Sequence, residues 1–247
     1  MKLNKIIFPC AVMLAASLLV MSCRKEKGQQ VAKESYDYSN KSLVQVYNGV
    51  LGAARNYVYV DGTPVTGTAL AYGGTFPSTP SDFAITAGFR AFLIKDTLTA
   101  TTQNPMSFAE NFQAGGNYTV FLFDTVNAAK QMTVKNDIII PDDTTARVRF
   151  ANISFSRVAV PNVDIFSVKR NANAFVNVPI TGVTNYISYA SSLVDTLYVR
   201  ATGTTTNLAT LNGFNPVRKR SYTLVYRGAY AATSGTFIRT LSSFSSN

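Results

Sequence analysis

The chain has 247 residues, carries 23 Lys and Arg against 13 Asp and Glu for a formal net charge of +10, and contains no histidine or tryptophan. Without histidine it lacks the commonest general base and metal ligand, so the usual Ser–His and Cys–His nucleophile pairs and most zinc sites are excluded. Tyr, Phe, Val and Thr are abundant and Glu is scarce, a composition that favours strands over helices and can fill a core.

In chain order, Lys2 and Lys5 precede an apolar run from Ile6 to Val20 that is interrupted by Pro9. A basic start, a short apolar stretch and a small residue before a cut describe a secretory signal peptide. The run falls short of the ~20 residues that span a bilayer, so a permanent membrane helix is the weaker reading. Ser22-Cys23 resembles the lipobox of bacterial lipoproteins, which implies that residues 1–22 are removed and that Cys23 is acylated as the new N-terminus. The alternative is plain secretion with Cys23 as an incidental thiol. Cys10 lies in the removed part, so the mature chain would keep one thiol and form no internal disulfide. Residues 23–41 read as a lipidated cysteine and a flexible tether, since Arg24-Lys25-Glu26-Lys27-Gly28 and the polar residues after it cannot bury a core. The expected location is the outer membrane, with the chain facing the periplasm or the cell surface.

From Ser42 the pattern has period two. Leu43 to Tyr47 and Tyr57 to Val60 read as strands, the second ending in the hairpin pair Asp61-Gly62. Ala69 to Tyr72, Asp82 to Ile85, Phe89 to Ile94, Phe108 to Phe112 and Asn117 to Phe123 follow as further strands. Asp137 to Ile140 closes this unit, and Pro141 to Thr145 is a polar break. No window carries a helical stripe, and short strands about ten residues apart predict an immunoglobulin-like antiparallel β-sandwich.

The pattern then restarts. Arg147-Val148-Arg149-Phe150-Ala151-Asn152 answers Leu43 to Asn48, Val163 to Phe166 answers Tyr57 to Val60, Leu197 to Arg200 answers Phe92 to Lys95, and Ser221 to Tyr226 answers Asn117 to Leu122. The fold class is therefore all-β, with two tandem modules at 42–141 and 145–247. The second lacks the Asp-Gly turn, having Ser167-Val168-Lys169 in its place, so its hairpin is expected to be longer. Residues 42–145 hold 5 Lys and Arg against 8 Asp and Glu, and residues 146–247 hold 11 against 2. Modules of opposite sign would touch through weak, salt-sensitive contacts, and the Arg and Lys of the second would face solvent. Tyr118 and Tyr222, each opening a late strand, are expected at a structural corner, with the ring buried and the hydroxyl bonded back to backbone.

Arg-Val-Arg-Phe-Ala-Asn (147–152), Tyr-Val-Tyr-Val-Asp-Gly (57–62), Ala-Gly-Phe-Arg (87–90) and Gly-Asn-Tyr-Thr-Val (116–120) together resemble the family called domain of unknown function 4397. The resemblance implies secreted or lipid-anchored bacterial β-sandwich modules, often in tandem, and transfers no catalytic residue.

Chemistry is sparse. The second module offers only Asp164 and Asp195 as carboxylates, and Asp164 sits where a strand points outward. Asp142-Asp143 reads as solvated linker rather than as a calcium site. No catalytic residue, metal or cofactor is expected. Asp-Thr steps at Asp124-Thr125 and Asp143-Thr144 resemble O-glycan acceptors of some Gram-negative exported proteins, which makes Thr125 and Thr144 candidate modification sites. The reading is a lipid-anchored, non-enzymatic envelope protein for adhesion or scaffolding. Its partners would be the membrane, through the anchor, and an envelope protein or polysaccharide, but not nucleic acid. The rivals are a glycan-binding lipoprotein partnering an outer-membrane transporter, with Tyr57/Tyr59 or Tyr186/Tyr189 as platforms, and a pilus-type subunit polymerising by strand addition.

Overall fold

The computed structural model describes residues 39–138 and 142–246. The signal peptide, Cys23, most of the tether, Pro141 and the end of the Asp137–Ile140 segment lie outside the described residues.

The first sandwich has nine strands: β1 (Lys41–Asn48), β2 (Asn56–Val60), β3 (Thr63–Pro64), β4 (Thr75–Phe76), β5 (Phe83–Thr86), β6 (Gly88–Asp96), β7 (Met106–Phe112), β8 (Asn117–Phe123) and β9 (Lys130–Lys135). The second has eight: β10 (Ala146–Asn152), β11 (Val163–Ser167), β12 (Ala172–Val178), β13 (Ile187–Tyr189), β14 (Asp195–Ala201), β15 (Asn207–Phe214), β16 (Ser221–Arg227) and β17 (Thr240–Ser246). One sheet of the first sandwich runs β4-β1-β8-β9, with β5 also on β1, and its mate runs β3-β2-β6-β7. The second repeats this order as β13-β10-β16-β17 and β12-β11-β14-β15. The all-β class and the two-copy arrangement thus hold in three dimensions.

Alternation explains each core. Val44 and Val46 of β1, Val120 and Leu122 of β8, Val58 of β2 and Phe92 and Ile94 of β6 meet in the first core. Val148 and Phe150, Leu224 and Tyr226, Ile165, and Leu197 and Val199 do so in the second. The β2–β3 turn is two residues, Asp61 and Gly62, both at positive φ (49° and 79°), as a tight hairpin requires. The Asp61 carboxylate accepts the Ala91 N–H at 3.0 Å and Arg90 at 3.0 Å, and these donors hold its pKa below the usual carboxylate range. In the second copy the turn between β11 and β12 spans residues 168–171, longer as expected.

Three expectations need correction. Ala69 to Tyr72 is not a strand; Leu70 makes only an isolated bridge to Asn56. The correspondence of β2 with β11 is slipped by one residue: Val58 pairs with Ile94 and Ile165 with Val199, so Val58 answers Ile165 and not Asp164. The sandwiches are also not wholly antiparallel. β1 pairs in parallel with β8, and β10 with β16, each over six residues.

The parallel pairs explain a further difference. Parallel ladders occur where both faces of a sheet are covered, and the outward faces of these sheets are covered by each other. Tyr47 of β1, Phe121 of β8, Ala151 of β10, Ile153, Val225 of β16 and Phe244 of β17 form a third buried cluster. The sheets therefore stack in four layers, with a core in each of the three gaps, and the described residues form one compact unit. The contact between modules is an apolar seam, in place of the weak electrostatic one that their charges suggested.

Candidate functional site

The seam is built from side chains that alternation sends away from each sandwich's own core. Tyr47 stacks on Phe244 with ring centroids 5.4 Å apart, and Phe121 tilts against both. Burial pushes the Tyr47 hydroxyl pKa up. At one margin of the seam Arg227 of β16 lies over the Tyr72 ring at 5.1 Å and donates to Ser242 at 3.1 Å, and Phe237 meets Tyr72 edge-on. Burial raises the Tyr72 pKa to about 12, against the pull of Arg227.

Elsewhere in the seam lies a buried charge. Arg149 of β10 is 1% exposed. Its Nε donates to Thr223 Oγ1 at 2.9 Å and its Nη2 to Thr119 Oγ1 of the other sandwich at 3.0 Å. The guanidinium lies 4.8 Å from the Tyr186 ring centroid and 5.8 Å from that of Phe121. Thr119 is held by Asn136, which also donates to Asn117. Burial pulls the Arg149 pKa below the usual arginine value. Among the described residues no carboxylate pairs with it; the ion pairs present are Arg55–Asp96, Arg90–Asp61 and Lys130–Asp124, all in the first sandwich.

Beside Arg149 the two sandwiches leave a cavity of about 300 Å³. The first contributes Val134 and Lys135 of β9 and Asp137; the second contributes Arg147 and Arg149 and the segment Val183 to Tyr186. The Arg147 Nη1 donates to Ser188 Oγ and Thr145 Oγ1, each at 2.7 Å, and Lys135 donates to Gln113 Oε1 at 3.1 Å. The Tyr186 hydroxyl is buried without a hydrogen-bond partner.

The residues singled out in the sequence fall elsewhere. The Gln113 N–H donates to the Tyr118 hydroxyl at 2.9 Å and the Val217 N–H to the Tyr222 hydroxyl at 3.0 Å. Tyr118 is buried and Tyr222 half-buried, and each meets a phenylalanine edge-on, Phe112 and Phe214 respectively. Thr125 is half-buried in the bend after β8, and Thr144 is exposed. Of the proposed platforms, Tyr57 and Tyr59 lie half-exposed on β2, with Lys95 over Tyr59 at 4.9 Å. Tyr189 is buried and donates to Asp195 at 2.5 Å, so Tyr186 and Tyr189 do not form a pair open to a ligand. Asp164 lies on the outer face of its sheet but is covered, accepting from Asn177 N at 2.7 Å, Thr202 Oγ1 at 2.8 Å and Asn173 Nδ2 at 3.1 Å. Among the described residues no three Asp, Glu, Cys or His groups gather to hold a metal. Arg149 was missed as a site because an arginine at an outward-facing strand position reads as solvated, and Tyr186 was singled out only as a platform with Tyr189, not as a partner of Arg149.

Residues 42–166 match the family model described as Domain of unknown function (DUF4397). The chain belongs to the DUF4397 family. The matched stretch covers the first sandwich and β10 and β11 of the second. The comparison with curated proteins found no match. Among solved structures, the carbohydrate-binding module CBMbc (family CBM26) of Eubacterium rectale Amy13K, crystallised with maltoheptaose, is similar at 9% identity over 83% of this chain and 96% of its own, with a TM-score of 0.26. That likeness is too distant to carry a ligand across to this DUF4397 protein.

Proposed function

We propose that this DUF4397 protein is a lipid-anchored, non-enzymatic component of the bacterial cell envelope that serves adhesion or scaffolding. The observation that carries this reading is the seam. Two sandwiches welded through a third apolar core transmit a load or hold a partner as one body, which a pair of modules on a loose linker would not do. The anchor is assigned to Cys23, the bulk to residues 42–247 and the reach between them to the tether. Among the described residues no helix is long and apolar enough to cross a membrane; in this proposal attachment is through the acyl chains on Cys23. The outer membrane is the proposed location, with the modules on either face. Polymerisation by strand addition is the weaker reading, because the sheets of each sandwich repeat the strand order of the other, so neither copy lacks a strand that the other supplies among the described residues.

The test is Cys23→Ser followed by detergent-phase partitioning of cell extracts. The expected result is loss of the protein from the detergent phase, and partitioning equal to wild type would remove the anchor from the proposal. Protease treatment of intact cells then reports the face: cleavage supports adhesion at the surface, and protection supports scaffolding within the periplasm.

A further inference from the structure

The second sandwich is a basic body that does not neutralise itself. Residues 146–247 contain 11 Lys and Arg and two carboxylates. Both carboxylates are spent on neutral donors: Asp164 on Asn173, Asn177 and Thr202, and Asp195 on Ser167, Tyr189 and the N–H groups of Lys169 and Thr196. Among the described residues none of these cations has an ion pair. Two of them, Arg147 and Arg149, stand two positions apart on β10 and so share the face turned to the seam. Lys135 of the other sandwich lines the same cavity but sends its ammonium to Gln113, on the face of β9 opposite the seam residue Val134. Only one acid, Asp137, lines it, so two guanidinium groups stand beside one carboxylate.

A buried cation without a counter-ion is costly, and leaving Arg149 between two threonines and two rings meets only part of its need. The other groups on the cavity wall are of mixed character. Thr184 and Asn185 bring a hydroxyl and an amide, Asp137 brings acceptors, and the Tyr186 hydroxyl is buried and unpaired. The volume, about 300 Å³, stands at the lower end of the roughly 300–1,000 Å³ of small-molecule sites, room for one ring of a short oligosaccharide whose other rings stay in solvent.

We infer that the cavity between the two sandwiches, lined by Lys135, Asp137, Arg147, Arg149, Asn185 and Tyr186, is a binding site for an acidic saccharide, a sugar ring carrying a carboxylate. The carboxylate takes the excess positive charge of Arg147 and Arg149, and the ring hydroxyls pair with Asp137 and Asn185. Because the wall comes from both sandwiches, the site exists only while the seam is closed. The assignment rests on the adhesion reading for its setting and deepens it by naming what is held; the anchor can fail its test and leave this site untouched.

The experiment is calorimetric titration of the detergent-solubilised full chain with trigalacturonate, with maltotriose as the neutral probe, tetraglutamate as the acidic peptide probe and acetate as the bare carboxylate. Trigalacturonate is expected to bind at least about tenfold more tightly than each of the other three, the scale of one charge-assisted hydrogen bond. Raising the salt from low to high ionic strength is expected to weaken it. Arg149 is buried in the seam, where a substitution changes packing as well as charge, so the variant is Arg147→Ala, on the rim. With an unchanged melting temperature, this variant should lose about tenfold or more in affinity. Equal binding of trigalacturonate and maltotriose, equal or tighter binding of tetraglutamate or acetate, no binding of trigalacturonate, or unchanged affinity in the folded rim variant would each overturn the proposal.

Discussion

Gly49, just past β1 in the first sandwich, abuts the Ile153 side chain of the second so closely that a Cβ at position 49 would collide with the Ile153 δ-methyl and crowd the Leu122 carbonyl oxygen at 2.9 Å. The seam closes at this point because one partner has no side chain. Gly49→Ala is therefore expected to destabilise the protein by about 1–3 kcal/mol through overpacking. Ile153→Ala alone leaves a void and costs about 2–5 kcal/mol. The double variant should cost less than the sum, since Ile153→Ala makes room for the new methyl, with a coupling of about 0.5–3 kcal/mol. Urea unfolding of the four proteins measures it, and strict additivity would mean that the two residues do not meet.

The Arg149–Thr119 bond separates two views of the buried charge. Thr119→Val keeps the shape but leaves the Arg149 Nη2 with a lost partner, so it should cost about 1–3 kcal/mol or more. Arg149→Met removes the charge together with its demand and keeps an apolar chain in the seam; it should be near neutral or stabilising. The expected order of unfolding midpoints is Arg149→Met at or above wild type and Thr119→Val below it. The reverse order would assign Arg149 a stabilising role that burial alone does not predict.

The two halves, residues 42–141 and 145–247, each carry a complete core. Produced separately, each is expected to fold into a β-rich species. Separation uncovers Tyr47, Phe121, Ala151, Val225 and Phe244, so the halves should bind one another when mixed, and raising the salt should not release them. Size exclusion of the mixture at low and high salt checks this. Co-elution lost at high salt would restore an electrostatic contact, and a half that remains disordered until its partner is added would replace two modules with one larger fold.

Asp195 ties the second sandwich to pH. Burial pushes its carboxyl up, but the donors Ser167, Tyr189, Lys169 N–H and Thr196 N–H outweigh burial and hold its pKa below the ordinary range. A pKa lowered on folding contributes stability above the unfolded value of about 3.9, and that stability is lost as pH falls through the folded value. The urea midpoint should therefore drop as pH is taken below about 4, and Asp195→Asn should be less stable at neutral pH with a flatter profile across that acid range. A variant profile as steep as wild type would place the acid sensitivity elsewhere.

The strands richest in alternation were legible: β1, β2, β6, β8, β10, β11, β14 and β16 fall where Val, Ile, Leu, Phe and Tyr recur at every second residue. Strand β9 (Lys-Gln-Met-Thr-Val-Lys) and strand β17 (Thr-Leu-Ser-Ser-Phe-Ser-Ser) were not, because each carries too few apolar residues to show a period and is held by the ladder of its neighbour β8 or β16. The parallel pairing of β1 with β8 brings residues more than seventy positions apart into register, and no local signal encodes the direction of a partner.

By itself the amino-acid sequence determined the all-β class, the duplication and which side chains point away from each sandwich, since a period of two depends only on the extended backbone. Tertiary structure alone decided what those side chains point at. Arg149 reads as solvent-facing because strand geometry assigns a direction and not a neighbour; the neighbour is the other sandwich, which turns an ordinary surface arginine into a buried cation beside a cavity.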